Sequence, residues 1–459
     1  MPNVTSGALI EGFEVGARIH IGGMADLYDV RRPGDATRMI MKVPRVGADE
    51  SSANIISFET EATILPALTG SHVPRFIAAG DITRVPYLVM ERIEGTSLEA
   101  FVRGGALPVA DVIRVGAAIA DALNSLHQQD VVHHDVKPDN VILTGDGTAV
   151  LIDYGFAHHS RFPDLLDEEA HAAGAAVYIS PEGVLHVRSD PRSDIFSLGV
   201  VLYEMVTGRF PFGEPDTDVR NRLWLDPVPP AVHSAAVPPW LQEIILRCLE
   251  TKPELRYQSA AHVAFDLRNP EQVVLTKRAT KSEQAGLFQQ LRRFLKARRE
   301  HGRRRVREVP LTRPPIIMVA VDTTHLDDER QPAIRNVTLQ ILSLSTEFRL
   351  LCIAIVPAAP LMKGVAPNET TSGIHLEHLI RLRHWVDPLR MPAHRISLHV
   401  IESPDPAEAL LAFARLNNVD LIVLGAPGPT RPERSWWSSV ASTVTANAHC
   451  SVHVVRVTT

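Results

Sequence analysis

Four polar residues that could do chemistry together fall within a short stretch. It reads His133-His134-Asp135-Val136-Lys137-Pro138-Asp139-Asn140, continues as an apolar strand, and ends in Asp153-Tyr154-Gly155. One acid, one lysine and one asparagine stand at fixed offsets, and a second acid follows thirteen residues after the asparagine. Phosphoryl transfer from a Mg-nucleotide needs such a set: a base for the acceptor hydroxyl, a cation on the γ-phosphate, and two oxygen-bearing metal ligands.

Composition bounds the setting. A chain of 459 residues implies two or three domains. Its apolar content of 45% is ordinary for a soluble globular protein. The net charge of −6 gives no global reason to expect nucleic acid as a partner. Cys248, Cys352 and Cys450 are far apart, lie in apolar surroundings and form no C-x-x-C, so they read as buried thiols in a reducing cytoplasm. No basic segment followed by an apolar one opens the chain, and no apolar run reaches the roughly 18 residues of a membrane span. Neither a signal peptide nor a membrane helix is expected, and the expected location is the cytoplasm.

Three regions separate along the chain. Residues 1–270 begin with strand-like runs, Arg38 to Val43 and Pro86 to Glu91 among them. Helical periodicity then takes over, with Val112, Val115, Ile119, Ala122, Leu123 and Leu126 on one face. That order suggests two lobes. Residues 271–313 are polar and basic, with nine Lys/Arg and one Glu between Arg292 and Arg307, and read as a partly helical linker. From Ile316 onward strands and helices alternate. Strands are expected at Ile316 to Val321, Arg349 to Val356, Ile396 to Ile401, Leu421 to Leu424 and Val452 to Val457. Helices are expected at Val337 to Leu344, Glu377 to Leu389, Pro406 to Asn417 and Ser439 to Ala448. The alternation implies a doubly wound parallel sheet over residues 314–459.

The first region resembles the eukaryotic-like serine/threonine protein kinases of bacteria at nearly every signature position. The resemblance implies a bilobal kinase fold and assigns residues accordingly. Lys42 would anchor the phosphates, with Glu61 of Phe58-Glu59-Thr60-Glu61 as its ion-pair partner; Glu59 and Glu61 lie about 200° apart on a helix, so only one can face Lys42. Asp135 would orient and deprotonate the acceptor, and Lys137 would contact the γ-phosphate. Asn140 and Asp153 would hold Mg²⁺, with Mn²⁺ as a substitute. Met90 falls at the gatekeeper position, Glu91 and Ile93 in the hinge that meets adenine, and Ile142 on the adenine floor. Glu182 of Ser180-Pro181-Glu182 would pair with Arg256, and Asp194 would brace the catalytic loop. The implied activity is transfer of the ATP γ-phosphate to Ser/Thr hydroxyls of protein substrates or of the chain itself, coupled to a nucleotide-binding stress-sensing domain in the last region.

Several departures from the family pattern bear on that activity. The glycine-rich loop reads His20-Ile21-Gly22-Gly23-Met24-Ala25-Asp26-Leu27, so Gly22 alone keeps its motif position, with Gly23 beside it. Ile40 stands where kinases carry Ala and would press on the adenine pocket. On these grounds the alternative reading is a pseudokinase scaffold. His134 replaces the arginine that grips a phosphorylated activation loop. Asp153 to Glu182 contains no Thr, and Ser160 is the hydroxyl in its middle. Switching by loop phosphorylation of the usual kind is therefore not expected. Ala175 replaces a threonine near the acceptor, and Asp167, Glu168 and Glu169 read as a solvated acidic turn.

The last region resembles the universal stress protein family. The match runs through Val319-Ala320-Val321-Asp322, Ser403-Pro404-Asp405-Pro406, Asp420-Leu421-Ile422-Val423-Leu424-Gly425, Ser439-Val440-Ala441 and His449-Cys450-Ser451-Val452. ATP-binding members carry G-x2-G-x9-G-[ST], where glycines let backbone approach phosphates at a helix N-terminus. Gly425 and Gly428 match, and Ser438 and Ser439 follow where a glycine is usual. With Asp322 near adenine or ribose, these form a second nucleotide site by resemblance. Trp436 and Trp437 could lid it or pack at a dimer contact. Members of the family often dimerise through the last strand, which makes Val452 to Val457 the expected homodimer edge.

Overall fold

The computed structural model describes residues 4–45, 52–80, 85–162, 164, 166, 176–214, 218–283, 315–326, 330–343, 348–356, 371–391, 395–417, 419–426 and 436–456. The expectations for Asp167, Glu168, Glu169, Ala175, Gly428 and most of the basic linker fall outside them. Among the described residues no helix is long and apolar enough to cross a membrane.

The chain opens as an antiparallel sheet. Its strands are β1 (Leu9–Ile10), β2 (Phe13–Ile21), β3 (Ala25–Arg31), β4 (Met39–Pro44), β5 (Phe76–Ala79) and β6 (Leu88–Glu91), in the order β1-β2-β3-β4-β6-β5. Alternation along β4 decides which side chains reach the site. Met39 and Met41 are fully buried with Phe13, Val15, Tyr28, Val30, Tyr87 and Val89 on one face. Ile40 and Lys42 therefore point to the other face, toward the helix α1 (Ser52–Ile64) and the second lobe.

The second lobe is helical. After the short β7 (Thr96–Ser97) and α2 (Leu98–Val102), α3 (Val109–His127) buries the expected apolar stripe from Val112 to Leu126. It packs on α5 (Arg192–Thr207), a helix buried on nearly every side. A Cβ at Gly116 would sit 2.4 Å from Leu202 Cδ2, so the two helices meet at a residue without a side chain. The strands β8 (Val131–Val132), β9 (Val141–Leu143), β10 (Ala149–Leu151) and β11 (His158–His159) form small ladders under the cleft. Further along come α4 (Pro181–Val184), α6 (Pro230–His233), α7 (Pro239–Cys248) and α8 (Ala260–Arg268).

The stretch just after α8 does not hang free. Gln242 of α7 donates to the Arg278, Ala279 and Lys281 carbonyls, and Glu243 accepts from Thr276 and Ala279. Residues 276–281, which composition alone assigns to the linker, are thus fixed to the helical lobe.

The C-terminal region is a five-stranded parallel sheet of order β14-β13-β12-β15-β16. The strands are β12 (Ile316–Ala320), β13 (Arg349–Val356), β14 (Ile396–Glu402), β15 (Leu421–Ala426) and β16 (Ser451–Arg456). The helices are α9 (Arg330–Leu342), α10 (Thr371–Val386), α11 (Pro406–Leu416) and α12 (Trp436–Asn447). Helices cover both faces, which is why the central strands are continuous apolar runs. Ile317, Val319, Leu350 and Cys352 enter the core shared with α9 and α10, while Met318, Ala320, Leu351 and Ile353 enter the core shared with α11 and α12. The doubly wound expectation holds. Two helices start earlier than the periodicity suggested, at Arg330 and Thr371, because their first turns carry polar or small residues that leave no apolar period. β16 lies at a sheet edge.

Candidate active site

Lys42 is the centre of the cleft between the lobes. Its Nζ donates to Glu61 Oε2 at 2.5 Å and to Asp153 Oδ1 at 2.8 Å. Glu61, not Glu59, is the residue of α1 that faces it. The second Glu61 oxygen accepts from the Tyr154 backbone N–H at 3.2 Å. Burial alone would lower the Lys42 pKa, but the two carboxylates outweigh it and hold the ammonium above its usual value. Enclosure in the cleft would raise Asp153, but Lys42 more than cancels it and holds that carboxyl down at about 2. Burial raises Glu61.

The Asp135 group lies on the loop after β8. Asp135 Oδ2 accepts from Lys137 Nζ at 2.7 Å and from Asn140 Nδ2 at 2.7 Å. The same Asn140 nitrogen donates to the Asp135 carbonyl at 2.9 Å. The Asn140 amide oxygen is therefore left as the acceptor that can meet a cation. Asp153 keeps 39% of its side chain exposed, so it too can offer oxygen to the cleft. An amide oxygen and a carboxylate are the hard donors that Mg²⁺ takes, and the residues fit that ion.

The loop is held from below. Asp194, fully buried in α5, accepts from the His133 and His134 backbone N–H groups at 2.8 and 2.9 Å, and from His127 Nε2 at 2.9 Å. Burial would raise its carboxyl, but the bond from His127 wins and holds it at about 2. His133 Nδ1 accepts from the Asp135 N–H at 3.3 Å, so its Nε2 carries the proton toward the Ile152 carbonyl. Glu182 receives both arms of Arg256, at 2.6 and 2.7 Å, in a buried bidentate pair.

The nucleotide-facing residues follow from the strands. Gly22 closes the β2–β3 turn, where its N–H donates to the Ala25 carbonyl at 3.0 Å. A Cβ there would lie 2.7 Å from that oxygen, while Gly23 faces open space. Ile40 and the buried Met90 pack on the core of the second lobe, and Glu91 and Ile93 follow at the end of β6. Val141 and Leu143 of β9 are buried, so Ile142 between them turns to the cleft side.

In the C-terminal sheet, Asp322 follows β12 and accepts from the Thr324 N–H at 3.0 Å; His325 Nδ1 lies 3.1 Å from its other oxygen. The pairing Val319↔Val423 brings the end of β12 beside Gly425 on β15. Ser438 and Ser439 fall in the first turn of α12. Ligands bind doubly wound sheets at these carboxyl ends of strands. Asp405 caps α11 by accepting from the Ala407 and Glu408 N–H groups, which gives that part of the motif a structural role.

Sequence reasoning missed one constellation. Arg188 Nε donates to Asp164 Oδ2 at 2.5 Å, and its Nη2 donates to the Phe156 and Ala157 carbonyls. Both side chains of the pair are buried. Burial would raise Asp164, but Arg188 and His158 outweigh it and hold the carboxyl well below the usual range. His134, which replaces the loop-gripping arginine, has φ of 63° and bonds the Arg188 carbonyl through Nε2 at 2.6 Å. Burial drops its pKa to about 3, so the ring is neutral and donates. No motif marks Asp164 or Arg188, and their separation of 24 residues carries no period.

A strand-rich lobe over a helical lobe, with lysine, carboxylate and amide groups facing one cleft, defines the protein kinase class of fold. The protein kinase domain family matches residues 13–266, more than half of the chain, and the chain belongs to that family. The universal stress protein family matches residues 315–456, so the parallel sheet is a C-terminal universal stress protein domain. A probable serine/threonine-protein kinase of Clostridium perfringens is 31% identical over 270 residues, 57% of this chain and 39% of that protein. The serine/threonine-protein kinase PknB of Mycobacterium leprae is 31% identical over 269 residues, 56% of this chain and 43% of its own. The chain thus spans about two fifths of the length of the curated relatives it matches. The kinase domain of Mycobacterium tuberculosis PknI covers 58% of this chain and 99% of its own, at 23% identity and a TM-score of 0.47.

Proposed function

We propose that the chain is an ATP- and Mg²⁺-dependent protein kinase that phosphorylates Ser/Thr hydroxyls on itself or on protein substrates. The observation that carries the reading is the shared cleft: Lys42 engaged by Glu61 and Asp153, facing Asp135 engaged by Lys137 and Asn140. Asp135 orients the acceptor hydroxyl and takes its proton. Lys42 and Lys137 supply positive charge to the phosphates. Asn140 and Asp153 offer the oxygens for Mg²⁺, which when bound neutralises charge on the transferred group. Gly22, Gly23, Glu91, Ile93 and Ile142 line the nucleotide, and Glu182, Arg256 and Asp194 keep the loop in place.

In this reading residues 1–270 form the kinase domain, 271–313 the linker, whose residues 276–281 pack on the helical lobe, and 314–459 the stress domain. Asp322, Gly425, Gly428, Ser438 and Ser439 form a second nucleotide site, and the β16 edge joins two copies. The relatives named as serine/threonine-protein kinases support the substrate class.

The test is transfer of labelled γ-phosphate by the full chain with Mg²⁺, beside Asp135→Asn. Removal of a general base costs about 10²–10⁴-fold, so label is expected on the wild type and not on the variant. Equal labelling of both would refute the assignment of Asp135. A wild type that neither binds Mg-ATP nor transfers label would refute the kinase reading.

A further inference from the structure

The activation segment and α1 are held partly by the stress domain. Ile55 of α1 is 1% exposed, and it is buried among Leu376, Leu379 and other residues of the α9/α10 core. Six residues at roughly 100° each put Ile55 about 120° around the helix from Glu61. One face of α1 therefore meets Lys42 while a second meets the other domain.

Two more contacts fall on the activation segment. The Asp164 N–H donates to Asn417 Oδ1 at 2.7 Å, and Asn417 follows α11 of the stress domain. The Arg349 guanidinium at the start of β13 lies 4.5 Å from the Phe162 ring centroid. Asp164 is also the residue whose carboxylate holds Arg188. Nearby, Phe156 and Leu166 pack with Met24, Ala53 and Ile56, which ties the segment back to α1.

We propose that the stress domain is a built-in docking partner of the kinase regulatory elements. Its α10 core and the Asn417–Arg349 edge stabilise α1 with Glu61 on Lys42 and pin the activation segment through Asp164. The proposal rests on the kinase reading above and adds how that site is regulated. An aspartate held by Arg188 and Asn417 does here what a phosphorylated loop residue does when an arginine grips it. The docking edge lies at the amino ends of β13 and β15, opposite the strand ends that carry Asp322 and Gly425.

The test uses the full chain with Asn417→Ala and Arg349→Gln combined, and separately Ile55→Ala. Hydrogen exchange of residues 52–64 and 154–166 is read beside γ-phosphate transfer. Both variants are expected to exchange faster in these two segments and to lose about tenfold in kcat/KM, within the usual range of coupling between sites. Strands β12, β13 and β15 are expected to keep their protection, which separates undocking from unfolding. If the double variant loses that protection too, Ile55→Ala, which changes no residue of the stress domain, decides. Unchanged exchange in 52–64 and 154–166 would overturn the proposal. A wild type without transfer activity would refute the kinase reading, and exchange alone would then decide the docking.

Discussion

Among the described residues, the buried Arg188 guanidinium donates to the Asp164 carboxylate and to the carbonyls of Phe156 and Ala157. The arrangement stabilises the activation segment without a modification, because the compensating anion is part of the chain. It also makes the pair asymmetric to mutation. Arg188→Ala leaves the Asp164 carboxylate buried without its cation, which costs about 3–5 kcal/mol. Asp164→Asn keeps an acceptor for Arg188 and is expected to cost less. Denaturant unfolding followed by a probe in the kinase lobes checks both. An Arg188→Ala loss below about 1 kcal/mol would place the pair among the weak surface bridges.

At the scale of elements, α1 and the Asp153-Tyr154-Gly155 turn are fitted to each other at a single glycine. A Cβ on Gly155 would lie 2.0 Å from Ser57 Oγ of α1 and 3.3 Å from Asp153 Oδ1. An added Cβ forces the Ser57 hydroxyl to turn away and crowds Ser57 Cβ and Asp153 at 3.3 Å, so Gly155→Ala is expected to strain the contact with α1 and loosen Glu61 from Lys42. The expected result is a fall of about tenfold or more in kcat/KM, or roughly 1.4 kcal/mol of transition-state stabilisation. Ser57→Ala in the same chain removes the clashing oxygen and is expected to restore much of the rate. No rescue would mean that the glycine is needed for its backbone and not for this close approach. The pairing of β8 with β11, of β9 with β10, and of Asp194 with the His133-His134 backbone leaves the Asp135 loop little freedom of its own.

Across the whole molecule, buried histidines of both domains give acid sensitivity one sign. Burial holds His134 and His399 at about 3, and His159 and His375 at about 4. Their unfolded value is about 6.5. Between that value and the folded one, the unfolded chain binds a proton that the folded chain refuses. Stability from each group is thus complete above about pH 6.5 and falls by about 1.4 kcal/mol per pH unit below it. Glu59, pushed up to about 8 by burial, works in the opposite direction, since its folded form holds a proton as the pH falls. His399→Leu isolates one group: its stability relative to wild type is expected to rise steadily from pH 6.5 to 4. Parallel melting profiles for the two proteins over that range would show that His399 is not held neutral. Below about pH 4 the depressed carboxyls of Asp153, Asp164 and Asp194 add to the loss in the kinase lobes, because protonation removes what Lys42, Arg188 and His127 stabilise.

What the sequence determined by itself is local or repeats with a period. The stripe on α3, the alternation of β4 that turns Lys42 away from Met39 and Met41, and the uninterrupted apolar strands of the parallel sheet depend on neighbours a few residues apart. The spacing of Asp135, Lys137 and Asn140 is of the same kind, since one loop and one short turn bring them together. A helix separates Glu59 and Glu61 by about 200°, so only one can face Lys42, and the spacing of the kinase family chooses Glu61. Tertiary structure alone decided the rest. Asp164 meets Arg188, 24 residues further along, and Asn417 meets Asp164 from another domain. Ile55 reads as one more apolar helix residue until α10 covers it. Such contacts join residues whose separation follows no period, so only the packed chain reveals that they are partners.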